Sequence, residues 1–179
     1  MKKLLLLLPI LTLLVGCQQT PDNLIKLTGS ILNQDESTLV VYVDRTPDTL
    51  NIAEDGTFVF EKESEKPISA TLIYGRKRAS LWLSPGKSLD LTVDVMDWSA
   101  SLGFSGDLQS VNEYLVTKGN VQMGWGKDYM INFMKSADNF KASRDSVQNV
   151  FTSLLDDYQA KGMDKQFVEM EKLNLQYTM

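Results

Sequence analysis

Cys17 is the only cysteine in this 179-residue chain, and there is no histidine. A Ser-His-Asp triad, a Cys-His pair and a zinc site of Cys and His are therefore excluded within the chain. So is a dithiol centre, which needs a second thiol to resolve the mixed disulfide formed by the first. Beyond the Cys17 thiol, three groups carry chemistry to weigh: the basic triplet Arg76-Lys77-Arg78, Trp125 between Gly124 and Gly126, and the acidic series Asp90, Asp94 and Asp97. The triplet reads as a solvated hairpin tip that keeps a sheet edge soluble, with an anionic ligand or lipid head group as the functional alternative. Trp125 reads as packing under a glycine loop, with an exposed recognition aromatic as the alternative. The three aspartates lack the Asp-x-Asp-x-Asp-Gly pattern of a calcium loop, and Asp90 and Asp94 share one face of an alternating strand, so they read as a solvent face. Carboxylate pairs for glycoside hydrolysis cannot be singled out in an acidic chain that offers many.

Cys17 takes its meaning from what precedes it. Met1-Lys2-Lys3 is basic, and Leu4 to Val15 is apolar except for Pro9 and Thr12. That run is short of the roughly 20 apolar residues that span a bilayer. A basic start, a short apolar core and small residues at its end form a secretory signal. Leu14-Val15-Gly16-Cys17 resembles the lipobox of bacterial lipoproteins, in which the thiol receives a diacylglyceryl group, the chain is cut before the cysteine and the new amine is acylated. The resemblance implies a signal peptide over 1–16, lipidation of Cys17 and a lipidated tether over 17–23. Gln18, in place of the aspartate that retains lipoproteins at the inner membrane, favours the outer membrane, periplasmic side.

The net charge is −5. Loss of Lys2 and Lys3 leaves 16 basic against 23 acidic residues, or −7. An acidic mature chain suits neither nucleic acid, whose phosphates call for Lys and Arg, nor electrostatic attachment to a membrane. The lipid is then the expected membrane contact.

From Leu24 to Phe104 the period is that of strands. Ile25 to Thr28 alternates, Thr38 to Val43 is β-branched, Thr49 to Ile52 alternates, and Thr57 to Phe60 follows the turn Glu54-Asp55-Gly56. Ile68 to Tyr74 and Ala79 to Leu83 predict a hairpin around Gly75-Arg76-Lys77-Arg78. Ser84-Pro85-Gly86-Lys87 predicts a turn before the alternating Ser88 to Val93. Asp55-Gly56 suits a tight hairpin, and Pro85-Gly86 fits the centre of a type II turn. Phe58 and Phe60 are expected in the core. Seven or eight short strands at this spacing predict a sandwich or barrel, without parallel βαβ units.

After Gly106 the period becomes helical. Val111, Tyr114 and Leu115 share a stripe that Asp107 is placed to cap, and Gly119 to Lys127 reads as a loop or break. A longer helix is expected from Ala137 to Ala160 on Phe140, Val147, Val150, Phe151, Leu154, Leu155 and Tyr158, with Gly162 as its stop. A last helix from about Asp164 carries Phe167, Met170, Asn174 and Tyr177, with Met163 leading into it. The final residues have no glycine cap, basic last turn or polar tail, so the chain is expected to be the front part of a longer protein.

Asp55-Gly56-Thr57-Phe58-Val59-Phe60, then Leu81 to Leu91 with its Ser84-Pro85-Gly86-Lys87 turn, then Phe104-Ser105-Gly106-Asp107 leading to Asn112-Glu113-Tyr114-Leu115, occur in an order that resembles a known family. It is the all-β N-terminal domain preceding the thioredoxin domain in membrane-anchored, TlpA/ResA-type thiol-disulfide reductases. The resemblance covers roughly Leu24 to Tyr177. It implies a lipoprotein signal, a β-domain and a helical connector ahead of a redox domain with a Trp-Cys-x-x-Cys motif. This chain has no Cys-x-x-Cys, so no catalytic residue carries over.

The expected fold class is α+β, an antiparallel β-sandwich over 24–106 followed by a helical connector over 107–179. The expected function is non-catalytic: positioning a thioredoxin-like domain, with a stand-alone structural or ligand-binding envelope lipoprotein as the alternative and a carboxylate-only hydrolase a distant third. Cys17 is the one site residue. No cofactor or metal is expected, and the partners are the membrane through lipid, a thioredoxin-like domain or another envelope protein.

Overall fold

The computed structural model describes residues 23–127, 131, 134 and 136–177, with the backbone alone for residues 125–127. Cys17, the signal segment and residues 18–22 of the tether lie outside the described residues, as does the side chain of Trp125.

Eight strands form two four-stranded sheets. They are β1 (Leu24–Leu32), β2 (Thr38–Val43), β3 (Thr46–Asn51), β4 (Thr57–Glu63), β5 (Ile68–Tyr74), β6 (Lys77–Leu83), β7 (Ser88–Asp94) and β8 (Gly103–Ser105). One sheet has the order β4-β1-β7-β8 and the other β3-β2-β5-β6. Alternation decides the inner face: Ile25, Leu27 and Ile31 on β1, Leu39, Val41 and Val43 on β2, Phe58 and Phe60 on β4, and Leu89, Leu91 and Val93 on β7 are all buried. Each large apolar side chain fully buried this way contributes about 1.5–3 kcal/mol. The α+β class holds, with one departure from an all-antiparallel sandwich: β1 and β7 pair in parallel, Leu27 opposite Leu89. No helical crossover joins them. The chain reaches β7 by way of the other sheet.

The hairpin expected at Asp55-Gly56 turns out to be a crossing between sheets, and the turn expected at Pro85-Gly86 forms and also crosses between them. Asp55-Gly56 joins β3 to β4, which belong to different sheets. Gly56 has φ +84°, as a tight turn requires, and a Cβ there would lie 2.4 Å from the Ile31 carbonyl oxygen. The Asp55 carboxylate accepts from the Thr57 N–H (3.0 Å) and hydroxyl (2.7 Å), which holds its pKa below the ordinary range. Pro85-Gly86 joins β6 to β7, with Lys87 N–H donating to Ser84 O at 3.2 Å across the turn. The β5–β6 hairpin is tighter than its sequence suggests. Lys77 pairs with Tyr74, so only Gly75 and Arg76 form the tip, and Lys77 and Arg78 belong to the strand.

A one-turn 3₁₀ segment (Val95–Asp97) and the short helix α1 (Trp98–Ser101) follow β7. Among the described residues three longer helices follow: α2 (Gln109–Lys127), α3 (Ala137–Gln159) and α4 (Lys165–Tyr177). The break expected from Gly119 to Lys127 does not occur, because α2 runs through it. Gly119, Gly124 and Gly126 all lie in α2, and a glycine costs about 1 kcal/mol in a helix interior, but Leu115, Val116 and Val121 pack against the core and hold the segment helical. Asp107 does not cap α2. Its carboxylate accepts instead from the Ser88 N–H and hydroxyl, both at 2.9 Å, tying the approach to α2 onto the start of β7 and lowering its pKa. α3 has the expected bounds, starts on the Ser136 cap and is followed by Gly162 at φ +85°. α4 starts at the expected place, its Asp164 carboxylate accepting from the Phe167 N–H at 2.9 Å. Its buried stripe differs from the expected one: Phe167, Val168, Glu171 and Leu175 face inward, whereas Tyr177 is exposed. The buried residues of strands and helices form one contiguous core.

Candidate functional site

The helices meet the sandwich along β6, the outer strand of its sheet. An edge strand presents unpaired N–H and C=O groups. At Trp82 they are taken by a side chain. The Asn112 carboxamide of α2 accepts from Trp82 N–H (2.9 Å) and donates to Trp82 O (3.1 Å) and Leu108 O (2.9 Å). Asn112 is 0% exposed, and every hydrogen of its amide is used. It stands in for one residue of a neighbouring strand.

Around this clamp the aromatic rings interlock. Trp82 meets Phe167 edge-on at 5.2 Å, and Tyr114 meets Phe167 at 5.7 Å and Tyr158 at 5.9 Å. Beneath them lies a polar knot. The Tyr114 hydroxyl donates to Glu171 Oε1 at 2.7 Å, the Lys118 ammonium pairs with the same carboxylate, and Asn174 Nδ2 donates to Oε2 at 3.3 Å. Burial first, then the Glu171 carboxylate, pushes the Tyr114 hydroxyl far above its ordinary pKa, so it stays a donor. The turn before β7 joins in, because Lys87 pairs with Asp164 at the start of α4. Burial would raise the Asp164 pKa, but Lys87 and the α4 amides outweigh it and the net shift is downward.

Further along β6 the helix leaves the edge open. Main-chain groups point outward at every second residue of an antiparallel strand, so those of Arg78 and Ser80 face the same side as those of Trp82. Arg78 O accepts from the Trp98 indole N–H at 3.3 Å. Ser80 N–H and C=O have no hydrogen-bond partner among the described residues. They face a groove of about 760 Å³ between β6, the α1 region and the outer half of α2. Leu102, Leu115, Val116 and Trp98 give it half-buried apolar walls, and Met123, 65% exposed, stands at its end. Gly119 lines the groove, and a Cβ there would meet nothing within 4 Å.

The residues singled out by sequence are partly reunited here. Lys77 and Arg78 line the groove, while Arg76 stays at the hairpin tip. Lys77 donates to the Val95 carbonyl. The three aspartates do not converge. Asp90 accepts from Thr28 Oγ1 (2.6 Å), Asp94 accepts from Asn33 Nδ2 (2.9 Å) and the Met96 N–H (2.8 Å), and Asp97 is exposed. No group of three or more Cys, Asp or Glu placed to hold a metal occurs among the described residues.

The chain matches no protein-family model, no curated protein and no solved structure. Asn112, Glu171 and Gly119 are the site's telling residues. Sequence reasoning passes over Glu171, because a single polar residue in an amphipathic helix reads as surface, takes Asn112 only as part of the segment after Gly106, and takes Gly119 for the start of a break. Among the described residues, no helix is long and apolar enough to cross a membrane.

Proposed function

We propose that this chain is a non-catalytic binding module of the bacterial cell envelope, held to the outer membrane on its periplasmic side by lipid on Cys17, with the β6–α2 groove as its docking surface. The groove is the observation that carries the reading. Asn112 and Glu171 are committed to holding helices on a strand, whereas the groove offers apolar walls, the side chains of Ser99, Asn120 and Gln122, and an unclaimed main-chain pair. Lipidation is supported by Leu14-Val15-Gly16-Cys17 behind a short apolar run.

A second reading, in which the unit positions a thioredoxin-like domain, rests on the order of the Asp55-Gly56, Pro85-Gly86 and Phe104 to Leu115 segments. Disulfide reduction assays on the mature chain are expected to stay at the buffer rate, since a second thiol is lacking.

Palmitate labelling with membrane fractionation tests the anchor. The wild type is expected to take up label and sediment with membranes, and Cys17→Ser to lose both, because acyl chains contribute about 0.8 kcal/mol per buried CH₂. Equal labelling of both proteins refutes it.

A further inference from the structure

The open stretch of β6 narrows the choice of partner. A small apolar ligand would use the walls of the groove but leave Ser80 N–H and C=O unanswered. A main-chain donor and acceptor side by side on a strand edge match the main chain of another extended segment. Asn112 shows that this same edge is completed laterally two residues away. The charge of the lining is also selective: it holds Lys77 and Arg78 and no acidic residue, in a chain of net charge −5. Gly119 adds a third observation. A glycine inside a helix is unfavourable relative to any ordinary residue, yet here it keeps the helix surface low where the groove is lined.

We propose that the groove takes an extended peptide segment of a partner protein, acidic and apolar residues alternating, which adds to β6 as a further strand. The inference rests on the binding-module reading and names the partner's chemistry. Ser80 N–H and C=O bond the peptide main chain. Successive side chains of a strand fall on opposite faces, so one set packs on Leu102, Leu115 and Val116 while the other lies beside Arg78. Met123 gives the end of the groove an adaptable wall.

Random short peptides displayed on phage and selected on the mature chain test this. Enriched sequences are expected to alternate apolar residues with Asp or Glu. In fluorescence polarisation, N-methylation of the peptide amides facing β6 is expected to weaken binding about tenfold or more, as is Arg78→Glu. Gly119→Leu is expected to abolish binding while raising the melting temperature, since leucine favours helix and its Cβ has open space. This separates a blocked groove from a damaged fold. Peptides that bind equally well when N-methylated overturn strand addition but leave the groove a binding site. Selection that yields no peptide sensitive to Gly119→Leu overturns both. A dimer seen by sedimentation and lost in Gly119→Leu would assign the edge to a second copy of the chain and overturn the partner proposed here.

Discussion

The sandwich and the helical layer share one core but are held by different means. In the sandwich, strand alternation sends most large apolar side chains inward: Leu27, Val41, Leu72 and Leu91 are fully buried, while Leu32, Tyr42 and Val59 lie exposed among the outward residues. In the helical layer, α3 fully buries only Phe151 and Leu155 of its 23 residues. The buried polar side chains concentrate there too: Ser110, Asn112 and Glu171 are on helices, with Ser84 just after β6. The sandwich thus depends on apolar burial that tolerates small repacking. The helices depend on a few polar contacts whose loss leaves a buried group unanswered, and such losses cost more than the contacts contribute.

The largest expected effect is at Glu171. Glu171→Ala strands the Lys118 ammonium and the Tyr114 hydroxyl, and removing one member of a buried pair costs about 3–5 kcal/mol. Denaturant unfolding is expected to show that loss, with α4 released before the sandwich. The double variant Glu171→Leu, Lys118→Met, which removes both charges, is expected to recover most of it. A double variant as unstable as the single would show that the knot is not what fastens α4. Next comes Asn112→Leu, close in size but unable to pair with Trp82. It leaves two main-chain groups of β6 unsatisfied, at about 1–3 kcal/mol each. An unchanged denaturation midpoint would remove the clamp from the account.

These two residues also mark where the sequence stops being legible. Strand positions, the burial of Phe58 and Phe60 and the bounds of α3 follow from periodicity, which is a local property. The parallel pairing of β1 with β7 does not, because alternation says which face is buried and not which strand lies alongside. Gly119 to Lys127 reads as a break because glycine is a poor helix former, whereas packing of Val116 and Val121 overrides that preference. Asp107 sits where a helix cap belongs, but Ser88, distant in sequence, takes its carboxylate. The α4 stripe is misread because Glu171 counts as polar and Tyr177 as apolar. Only the partners brought by the fold, Tyr114 and Lys118, make the glutamate an inward residue.

A smaller effect is expected on acidification. Asp164 has a pKa lowered from its ordinary 3.8, so its contribution through Lys87 and the α4 amides is complete above that value. It fades as pH falls through the ordinary value toward the lower folded one. NMR signals at the start of α4 are expected to shift below pH 4 while those of Leu27 and Leu72 hold. Asp164→Asn should remove that early step, and its persistence would place the titration elsewhere. The smallest effect lies within the sandwich. Asp44 and Arg45 form the β2–β3 turn with φ of +50° and +67°, uncommon for residues with a Cβ. Arg45→Gly relieves a left-handed cost of about 1–2 kcal/mol but adds freedom to the unfolded chain. A net gain of roughly 0.5–1 kcal/mol is expected, and a loss would show that Arg45 has a role beyond the turn.

One strand edge is closed by Asn112 at Trp82 and left open at Ser80. Hydrogen exchange of the isolated mature chain, resolved at those two amides, tests this most directly. Both point outward from β6, so neither is protected by the β5 ladder. Exchange is expected to be slow at Trp82, comparable to the strand interiors, and fast at Ser80. Fast exchange at both would mean that the clamp does not form, and slow exchange at both would mean that the edge is already covered and the groove is not a docking surface.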